Sequence, residues 1–392
     1  MLPKPLDKID ASDILALVSN QDEERRTLDF KRELPGNSDA DKRELRADVA
    51  SFANAAGGDL VFGVAESGGV ARDVPGLPGT DPDTEIRRIE QAIQSGIDPR
   101  IPGVESTTVP IPGKGPVIVV RVQKSWRGPH LVKINDTFRM YGRTSKGKYI
   151  LDATEIRSAY ALSEQIGDRM CRWRDDRLVK ILGRETPVGL ADEPCLVIHL
   201  VPVSSLIGGH ELSAVRLKEQ RNQFAPPDYQ ATDFHINIDG VVSYIGWQHK
   251  AESSFAYCQV YRQGMVEGVS AMIVTDEDGR RNVASVLLEK MMIQSVSNYL
   301  NGLKELGIEP PFAVLSALLD MNGVTLAVGR RQRLIRQGKF DRDVLVLPDV
   351  LVESFADEVP TIMKPVFDAM WNAAGWEYSF SYTKDGKWEP QC

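Results

Sequence analysis

The chain has 392 residues, of which 42% are hydrophobic and 26% charged, and its formal net charge is −8. This is the composition of an ordinary globular protein with material for two or three domains, and the negative charge argues against a protein that coats nucleic acid or membrane with its whole surface. The first residues lack the apolar core of a signal peptide, and no stretch is long and apolar enough to cross a bilayer. The four cysteines are far apart and form no CxxC pair, which is typical of reduced thiols in a cytoplasmic protein. They are Cys171, Cys195, Cys258 and Cys392.

The N-terminal part of the chain predicts alternating helices and strands. Residues 12–20 predict a short helix with Ser12 as its N-cap, and residues 27–31 predict a short charged strand. Residues 41–56 predict a helix because apolar side chains recur there at helical spacing, and the apolar run 60–64 predicts a central, buried strand. The further predicted elements are a helix ending at Gly96, strands at 107–109 and 117–122, a hairpin over 130–133 and 137–141, and a helix from Asp152 or Thr154 to about residue 182.

The first predicted strand has an apolar and a charged side. At a two-residue period Leu28 and Phe30 lie on one side, whereas Asp29 and Lys31 lie on the other, about 6.6 Å apart along the strand at the usual rise. Glu24 lies just before the strand, so two carboxylates and a lysine gather at its end. Such a group can hold a divalent cation and steady a phosphate. The alternative is that Asp29 and Lys31 form a solvated ion pair on an edge strand.

The second half of the chain predicts another domain but no particular function. Its predicted elements are a strand at 196–201, hairpins over 235–245 and 255–275, a helix at 284–306, strands at 313–319 and 344–347, and a helix near 358–374. We therefore predict an α/β protein of mixed α+β type. We expect a first domain over residues 1–165, a helix and linker over 166–194, and a second α/β domain over 195–392 with a sensing, regulatory or dimerising role.

A basic island interrupts this acidic chain. Residues 121–148 carry eight basic residues and one acid, Asp136, so their net charge is +7 and that of the remainder is −15. A local excess of this kind suits a polyanion bound at one site, and aromatic residues interleave with it as they do in surfaces on which bases stack. The alternative is a solvated hairpin with ordinary aromatic side chains. The basic residues are Arg121, Lys124, Arg127, Lys133, Arg139, Arg143, Lys146 and Lys148, and the aromatic residues are Trp126, Phe138, Tyr141 and Tyr149.

Other motifs are weaker. Residues 142–149 nearly match a phosphate-binding P-loop, but Tyr149 stands where the motif needs a serine or threonine for Mg2+, so we expect a basic turn. The five histidines show no paired metal-ligand spacing. His199 lies in an apolar run and is expected in the core. His130 is expected in a loop, with contact to a phosphate as the alternative.

Several segments together resemble the Schlafen/AlbA-type domain. They are the motif Glu24-x4-Asp29-Phe30-Lys31, the runs 50–58 and 60–64, and the later turn 138–145. The resemblance covers roughly residues 15–162. It implies a nucleic-acid-binding domain, described in relatives as DNA-binding or ATP-binding and in some relatives as a metal-dependent endoribonuclease that cuts transfer RNA. A role in defence is a further implication from relatives.

The resemblance also implies roles for individual residues. Glu24, Asp29 and Lys31 match the catalytic motif, with Lys31 on the scissile phosphate. The family often has an aspartate directly after the Gly-Val strand, whereas this chain has Ala65 there, so Glu66 is the candidate third acid. Asp59 and Glu33 are the less favoured stand-ins.

The predicted function is nucleic-acid binding, with RNA favoured over DNA, and divalent-metal-dependent endoribonuclease activity on structured RNA such as tRNA. Glu24, Asp29 and Glu66 would hold Mg2+ or Mn2+, which activates water. The alternatives are a non-catalytic DNA- or RNA-binding regulator and an ATP-binding protein. Because eukaryotic relatives set two such domains into one clamp, we also expect a homodimer. The predicted nucleic-acid contacts are Lys124, Arg127, Lys133, Arg139, Arg143, Lys146 and Lys148.

Overall fold

The structure of the protein, a computed structural model, describes residues 1–125, 128–134, 137–207, 211–245, 254–277, 280–328 and 338–390. The chain divides into two compact units, Met1–Gly167 and Asp168–Cys392. Each unit combines helices with sheets that are largely antiparallel, so the predicted mixed α+β class is confirmed. Within the described ranges, no helix has the length and apolar character that a bilayer crossing needs.

The first unit contains two four-stranded sheets and a short two-stranded one. Its elements are α1 (Ala11–Ser19), β1 (Leu28–Lys31), α2 (Asp39–Asn54), β2 (Gly58–Phe62), β3 (Ala65–Ser67), β4 (Val70–Asp73), α3 (Pro82–Gln94), β5 (Ile97–Asp98), β6 (Val104–Val109), β7 (Val117–Val122), β8 (Leu131–Ile134), β9 (Thr137–Thr144), β10 (Gly147–Ile150) and the first half of α4 (Ala153–Leu182), whose second half belongs to the second unit. Helix α1 begins earlier than predicted, because Asp10 rather than Ser12 is its N-cap and accepts the N–H groups of Ser12 and Asp13.

The first sheet has the strand order β1-β2-β7-β6, with β1 parallel to β2 and the other pairs antiparallel. Alternation along the strands gives this sheet two apolar sides. Leu28 and Phe30 of β1 pack in a cluster with Ile14 of α1, whereas Leu60 and Phe62 of β2 pack in a second cluster with side chains of α2 and α3. Strand β2 is therefore the central, buried strand that the apolar run predicts, and β1 lies at the edge of the sheet.

The second sheet is antiparallel and has the order β10-β9-β8-β5. Strands β8 and β9 form the predicted hairpin, but the segment predicted as a basic turn continues into a third strand. Thr144 pairs with Gly147 at the turn between β9 and β10, and Gly147 has a φ of +109°, which glycine adopts readily. Because strand rather than helix follows this turn, the geometry of a P-loop is excluded.

The second unit is built on one large antiparallel sheet. Its elements are β11 (Cys195–Pro202), α5 (Ala214–Glu219), β12 (Asp233–Ile236), β13 (Gly240–Tyr244), β14 (Ala256–Tyr261), β15 (Val266–Ser270), β16 (Thr275–Glu277), β17 (Arg280–Ala284), α6 (Ser285–Glu305), β18 (Phe312–Leu319), β19 (Thr325–Ala327), β20 (Gly338–Lys339), β21 (Val344–Val346), β22 (Val350–Val352) and α7 (Val359–Ala373). The large sheet has the order β12-β13-β14-β15-β11-β18-β21, with β22 also paired to β18. Strands β16, β17, β19 and β20 form a smaller sheet.

Two fully buried carboxylates lie in the second unit. Glu267 of β15 accepts two hydrogen bonds from Arg177, at 2.7 and 2.8 Å, and one from Tyr257 at 2.9 Å. His199 Nε2 lies 3.0 Å from the same carboxylate, so His199 is the core residue that its apolar surroundings predict. A buried carboxylate needs such donors, because burial without them disfavours its charge.

The other buried carboxylate, Glu289 of α6, is held by three neutral donors. Trp371 and Ser379 donate to it at 2.7 Å, and Trp388 donates at 2.9 Å. Trp388 comes after α7, so this contact fastens the last described part of the chain to α6.

Among the described residues, Cys171, Cys195 and Cys258 are free thiols, as expected. Cys392 lies outside the described residues.

Candidate functional site

The predicted acid of strand β1 lies in a buried ion pair with the second sheet. Asp29 is only 5% exposed, and Arg143 of β9 donates a hydrogen bond to it. Lys31 Nζ lies 3.1 Å from the other oxygen of Asp29. Glu24 also interacts with the Asp29 carboxyl, so Glu24, Asp29 and Lys31 come together. The solvated ion pair considered above does not describe Asp29, because that side chain is buried against Arg143.

Arg143 corrects a prediction made from the basic island. Its guanidinium lies 4.2 Å above the ring of Phe52 of α2, and it is 5% exposed. Its second partner is Asp48, whose Oδ1 lies 3.7 Å from Nη1. In this structure Arg143 is held inside the fold by an aromatic ring and two carboxylates, and the nucleic-acid contact predicted for it stays a prediction.

Asp48 of α2 is the site residue that the sequence reasoning missed. It is 3% exposed and lies 2.7 Å from Lys148 Nζ and 3.7 Å from Lys31 Nζ. Burial raises its pKa, although Lys148 and Lys31 oppose that shift. The signal was present in the sequence, since Asp48 interrupts the helical face that carries Leu45 and Phe52, and a carboxylate in such a place needs a partner.

Lys148, predicted to bind nucleic acid, is also engaged by acids. Its ammonium donates one hydrogen bond to Asp48 and another to Glu44. Lys148 thus belongs to a group of interacting charged side chains that we call the ionic cluster. Its members are Glu24, Asp29, Lys31, Asp48, Arg143 and Lys148.

The carboxyls of Glu24 and Asp29 have opposite protonation behaviour. Burial raises the pKa of Glu24 to about 7, and the neighbouring charge of Asp29 adds to the shift even though the N–H of Phe30 donates to Glu24 at 2.9 Å. Burial would likewise raise the pKa of Asp29, but Arg143 and Lys31 outweigh it and hold that pKa below its ordinary value. One acid can therefore be protonated near neutral pH while its neighbour is ionised.

Glu24 should make the stability of the protein depend on pH. Because its folded-state pKa of about 7 exceeds the ordinary value of 4.5, its contribution to stability is fully present below pH 4.5 and is lost as the pH rises through 7. Replacement by glutamine removes this loss. We expect the melting temperature of Glu24→Gln, relative to that of the unmodified protein, to rise between pH 5 and pH 8 in thermal unfolding followed by circular dichroism. If the difference in melting temperature between the two proteins were the same at pH 5 and pH 8, the pKa of Glu24 would not be raised.

Glu66 lies at the surface, on the turn that contacts Glu24. It is exposed on β3, and its carboxylate accepts the N–H of Gly69 at 2.6 Å. The carbonyl of the same Gly69 accepts the N–H of Glu24 at 2.6 Å, so Glu24 and Glu66 both hydrogen-bond to Gly69. Of the two less favoured stand-ins, Glu33 is exposed, whereas Asp59 is fully buried against Arg121, with N–O distances of 2.8 and 3.0 Å, and has no access to a substrate.

The acids of the ionic cluster do not fit a resident divalent ion as they are arranged. No group of three His, Cys, Asp or Glu side chains within the described part of the chain is placed to hold a metal. The physical reason is that the oxygens of Asp29 and Asp48 already contact Lys31, Arg143 and Lys148, so a metal ion would have to displace these cations.

The remaining members of the basic island divide into buried and exposed residues. Arg121 is 3% exposed and serves the fold, because it pairs with Asp59 and donates to the carbonyl of Lys4 at 2.9 Å. Of the predicted contacts, Lys133, Arg139 and Lys146 are exposed and Lys124 is half-buried. Trp126, Arg127 and Asp136 lie outside the described residues.

His130 is fully buried, and its ring Nδ1 lies 2.6 Å from the carbonyl oxygen of Pro99, so the alternative of a phosphate contact is wrong.

The outward side of the second sheet carries exposed aromatic rings beside a lysine. Lys133 of β8 lies directly opposite Phe138 of β9, so both side chains point to the same side of the sheet. Phe138 is 52% exposed and Tyr149 of β10 is 39% exposed. Tyr149 lies opposite Gly142, where an added Cβ would come within 3.0 Å of the tyrosine ring, so glycine leaves the space that the ring occupies. Tyr149 also donates to Glu155 at 2.8 Å, which fixes its ring.

A comparison with family models agrees with the N-terminal motif pattern. Residues 24–152 match the family model described as Schlafen, AlbA_2. A search of curated proteins finds no match. Among solved structures, the DIP2311 protein of Corynebacterium diphtheriae is similar at 20% identity and a TM-score of 0.26, over 37% of this chain; this chain spans only 27% of that protein. The N-terminal domain of a RecG-related protein of Nitrosomonas europaea is similar at 25% identity and a TM-score of 0.27, over 37% of this chain and 96% of that domain. The chain therefore contains a Schlafen AlbA_2 domain over residues 24–152.

Proposed function

We propose that the first unit binds nucleic acid, with RNA favoured over DNA, through the outward side of the sheet β10-β9-β8-β5. One observation carries the proposal: Phe138 and Tyr149 are exposed on the side of the sheet that also presents Lys133. Large aromatic side chains are usually buried, so two on one exposed side mark a contact surface. The Schlafen AlbA_2 type of the domain supports nucleic acid as the partner.

The spacing of the two rings suits a single strand. Tyr149 lies opposite Gly142, four residues beyond Phe138 on β9, so the rings are roughly 13 Å apart along the sheet at the usual rise. Each ring can therefore stack on a different base. Unstacked bases are available in single strands and in the loops of structured RNA, which is the reason to favour RNA. Stacking of this kind is worth about 1–3 kcal/mol per base.

The charge available for phosphates is smaller than the basic island suggests. Lys133 and Lys146 are exposed, whereas Arg139, next to Phe138 on β9, points to the opposite side of the sheet, and Arg121, Arg143 and Lys148 are neutralised by acids. Two phosphate contacts on a single strand correspond to a slope of about −1.4 for the logarithm of the binding constant against that of the salt concentration. We infer a binder of moderate salt dependence whose affinity depends on both stacking and charge.

Substitutions on this side of the sheet should weaken binding. We expect Phe138→Ala to reduce affinity for single-stranded RNA by about 1–3 kcal/mol, because one stacking partner is lost. We expect Lys133→Glu to reduce affinity for all sequences and to lower the salt slope by about one. Fluorescence anisotropy with a labelled RNA decamer at four salt concentrations measures both effects.

The control is Lys8→Glu, which reverses an exposed lysine before α1, away from this sheet. If Lys8→Glu and Lys133→Glu reduced the affinity for RNA by similar amounts, binding would depend on the net charge of the protein and not on this side of the sheet. Unchanged affinity in Phe138→Ala and Lys133→Glu would remove this side of the sheet from consideration.

Endoribonuclease activity is the second candidate, favoured by the convergence of Glu24, Asp29 and Lys31 at the end of β1. Incubation with transfer RNA, other RNAs and DNA, each with Mn2+ or with a chelator, tests it. Cleavage that needs the metal and disappears in Glu24→Gln would support a nuclease of structured RNA, whereas retention of the probe without cleavage would support a non-catalytic regulator. Tight ATP binding without either result would support the ATP-binding alternative. Light scattering tests the proposed homodimer, which a monomer at working concentration would exclude.

A further inference from the structure

A cavity of about 120 Å³ adjoins the ionic cluster on the side of α2 and β2. Its inner wall is apolar, because Leu45, Leu60 and Phe62, each at most 3% exposed, contribute to it. Lys31 and Asp48 belong to both the cavity and the ionic cluster. The remaining lining residues are Glu33, Leu34, Pro35, Asp41 and Glu44.

The outer wall is held in shape from α3. The guanidinium of Arg88 donates to the carbonyl oxygen of Pro35 at 2.6 Å, to that of Gly36 at 3.3 Å and to Asn37 Oδ1 at 3.2 Å. Glu85 in turn lies 2.6 Å from Arg88. A loop fixed by several hydrogen bonds keeps the cavity open without a ligand, which lowers the cost of filling it.

The charges around the cavity define what can enter. Four carboxylates line it, from Glu33, Asp41, Glu44 and Asp48, against the single cation of Lys31. A phosphate would be repelled, whereas a ring with amino groups would find acceptors.

Glu33 is the acceptor best placed for a ligand. It is exposed and, among the described residues, makes no hydrogen bond or ion pair. The other acids have partners, since Asp41 caps α2 through Ser38 and Glu44 and Asp48 contact Lys148.

The volume of the cavity limits the ligand to a single ring. An apolar cavity of about 150 Å³ holds a benzene molecule, so a volume of 120 Å³ excludes a fused pair of rings and admits at most one six-membered ring. Carboxylates of Asp and Glu accept from the exocyclic amino group of cytosine, whereas uracil offers a carbonyl oxygen at that position.

We propose that this cavity binds an unpaired cytosine base of the nucleic acid, with Leu34, Leu45 and Phe62 against the ring and Glu33 accepting from its amino group. The inference rests on the proposed function, because the base is part of the strand that the outward side of the second sheet binds. Displaced bases are commonly held in this manner, between apolar side chains and one or two polar groups.

The test compares cytidine and uridine RNA decamers by fluorescence anisotropy with the full chain. We expect the unmodified protein to bind the cytidine decamer at least about fivefold more tightly, the lower end of the discrimination by one good base contact. Glu33→Gln should bring the ratio of the affinities for the cytidine and uridine decamers close to one without lowering the affinity for the uridine decamer. Leu34→Trp should have the same effect by filling the cavity. Asp83→Asn, an exposed acid of α3, is the matched control and should keep the ratio.

The outcomes separate the two proposals. Equal affinity of the unmodified protein for both decamers would overturn the cytosine cavity and leave the sheet surface standing. A preference that survives both cavity substitutions would also overturn it. Binding of neither decamer would overturn the proposed function and the cavity together. Spermidine competing with the cytidine decamer in the unmodified protein but not in Glu33→Gln would assign the cavity to organic amines and overturn the assignment to a base.

Discussion

Replacement of Asp29 by alanine is expected to lower the free energy of unfolding of the first unit by about 3–5 kcal/mol. The substitution leaves Arg143 buried against Phe52 with only Asp48, 3.7 Å away, as a remaining carboxylate. A charge that is buried without its partner costs far more than the pair contributes, because the desolvation of the guanidinium is no longer offset. Urea unfolding of the full chain, followed by circular dichroism, measures the loss.

A double-substituted protein separates the cost of an unpaired charge from other effects. Arg143→Met removes the cation and keeps much of its apolar volume over Phe52. We expect the combination of Asp29→Ala with Arg143→Met to be more stable than Asp29→Ala alone, and the non-additivity gives the coupling of the pair. Losses that simply add would mean that the two side chains are independently hydrated.

The second unit is expected to lose about 3 kcal/mol of stability as the pH falls from 4.5 towards 2. Burial would raise the pKa of Glu267, but hydrogen bonds from Arg177 and the neighbouring His199 outweigh it and lower that pKa to about 2 from the ordinary value of 4.5. A carboxyl with a lowered folded-state pKa contributes stability that is present above its unfolded pKa. That contribution is lost as the pH falls through the folded pKa, when the protonated acid no longer supports the buried Arg177.

Urea unfolding at pH 7, 5, 4 and 3, followed by tryptophan fluorescence, tests this expectation. Trp371 and Trp376 are half-buried or buried in the second unit and report on its unfolding. Glu267→Gln cannot titrate, so its stability, although lower at pH 7, should fall less steeply with pH. Parallel curves for the two proteins would show that other carboxyls cause the acid sensitivity.

Local patterns in the sequence predicted most elements of the site but not its ion pairs. The alternation of Leu28 to Lys31 identified strand β1, and the apolar face of α2 identified the helix that covers it. Asp29 and Arg143, in contrast, are 114 residues apart, and only the packing of the two sheets brings them together. No periodicity of a single segment contains that information.

The charges of the basic island could be counted from the sequence, but their burial could not be predicted from it. A count of charges along the chain is correct but does not distinguish Arg143, buried over Phe52, from Lys133, exposed on β8. That distinction depends on which side of a strand faces a helix, and strand β10, which completes this sheet, was predicted as a turn. Asp48 could have been recognised as a partner for buried cations, because a lone carboxylate on an apolar helical face requires one.

The contact between Trp388 and Glu289 has a practical consequence for shortened forms of the protein. A fragment that ends before residue 388 would retain Glu289 in the core with two hydrogen-bond donors in place of three. The C-terminal boundary chosen for expression of the second unit alone therefore belongs after Trp388.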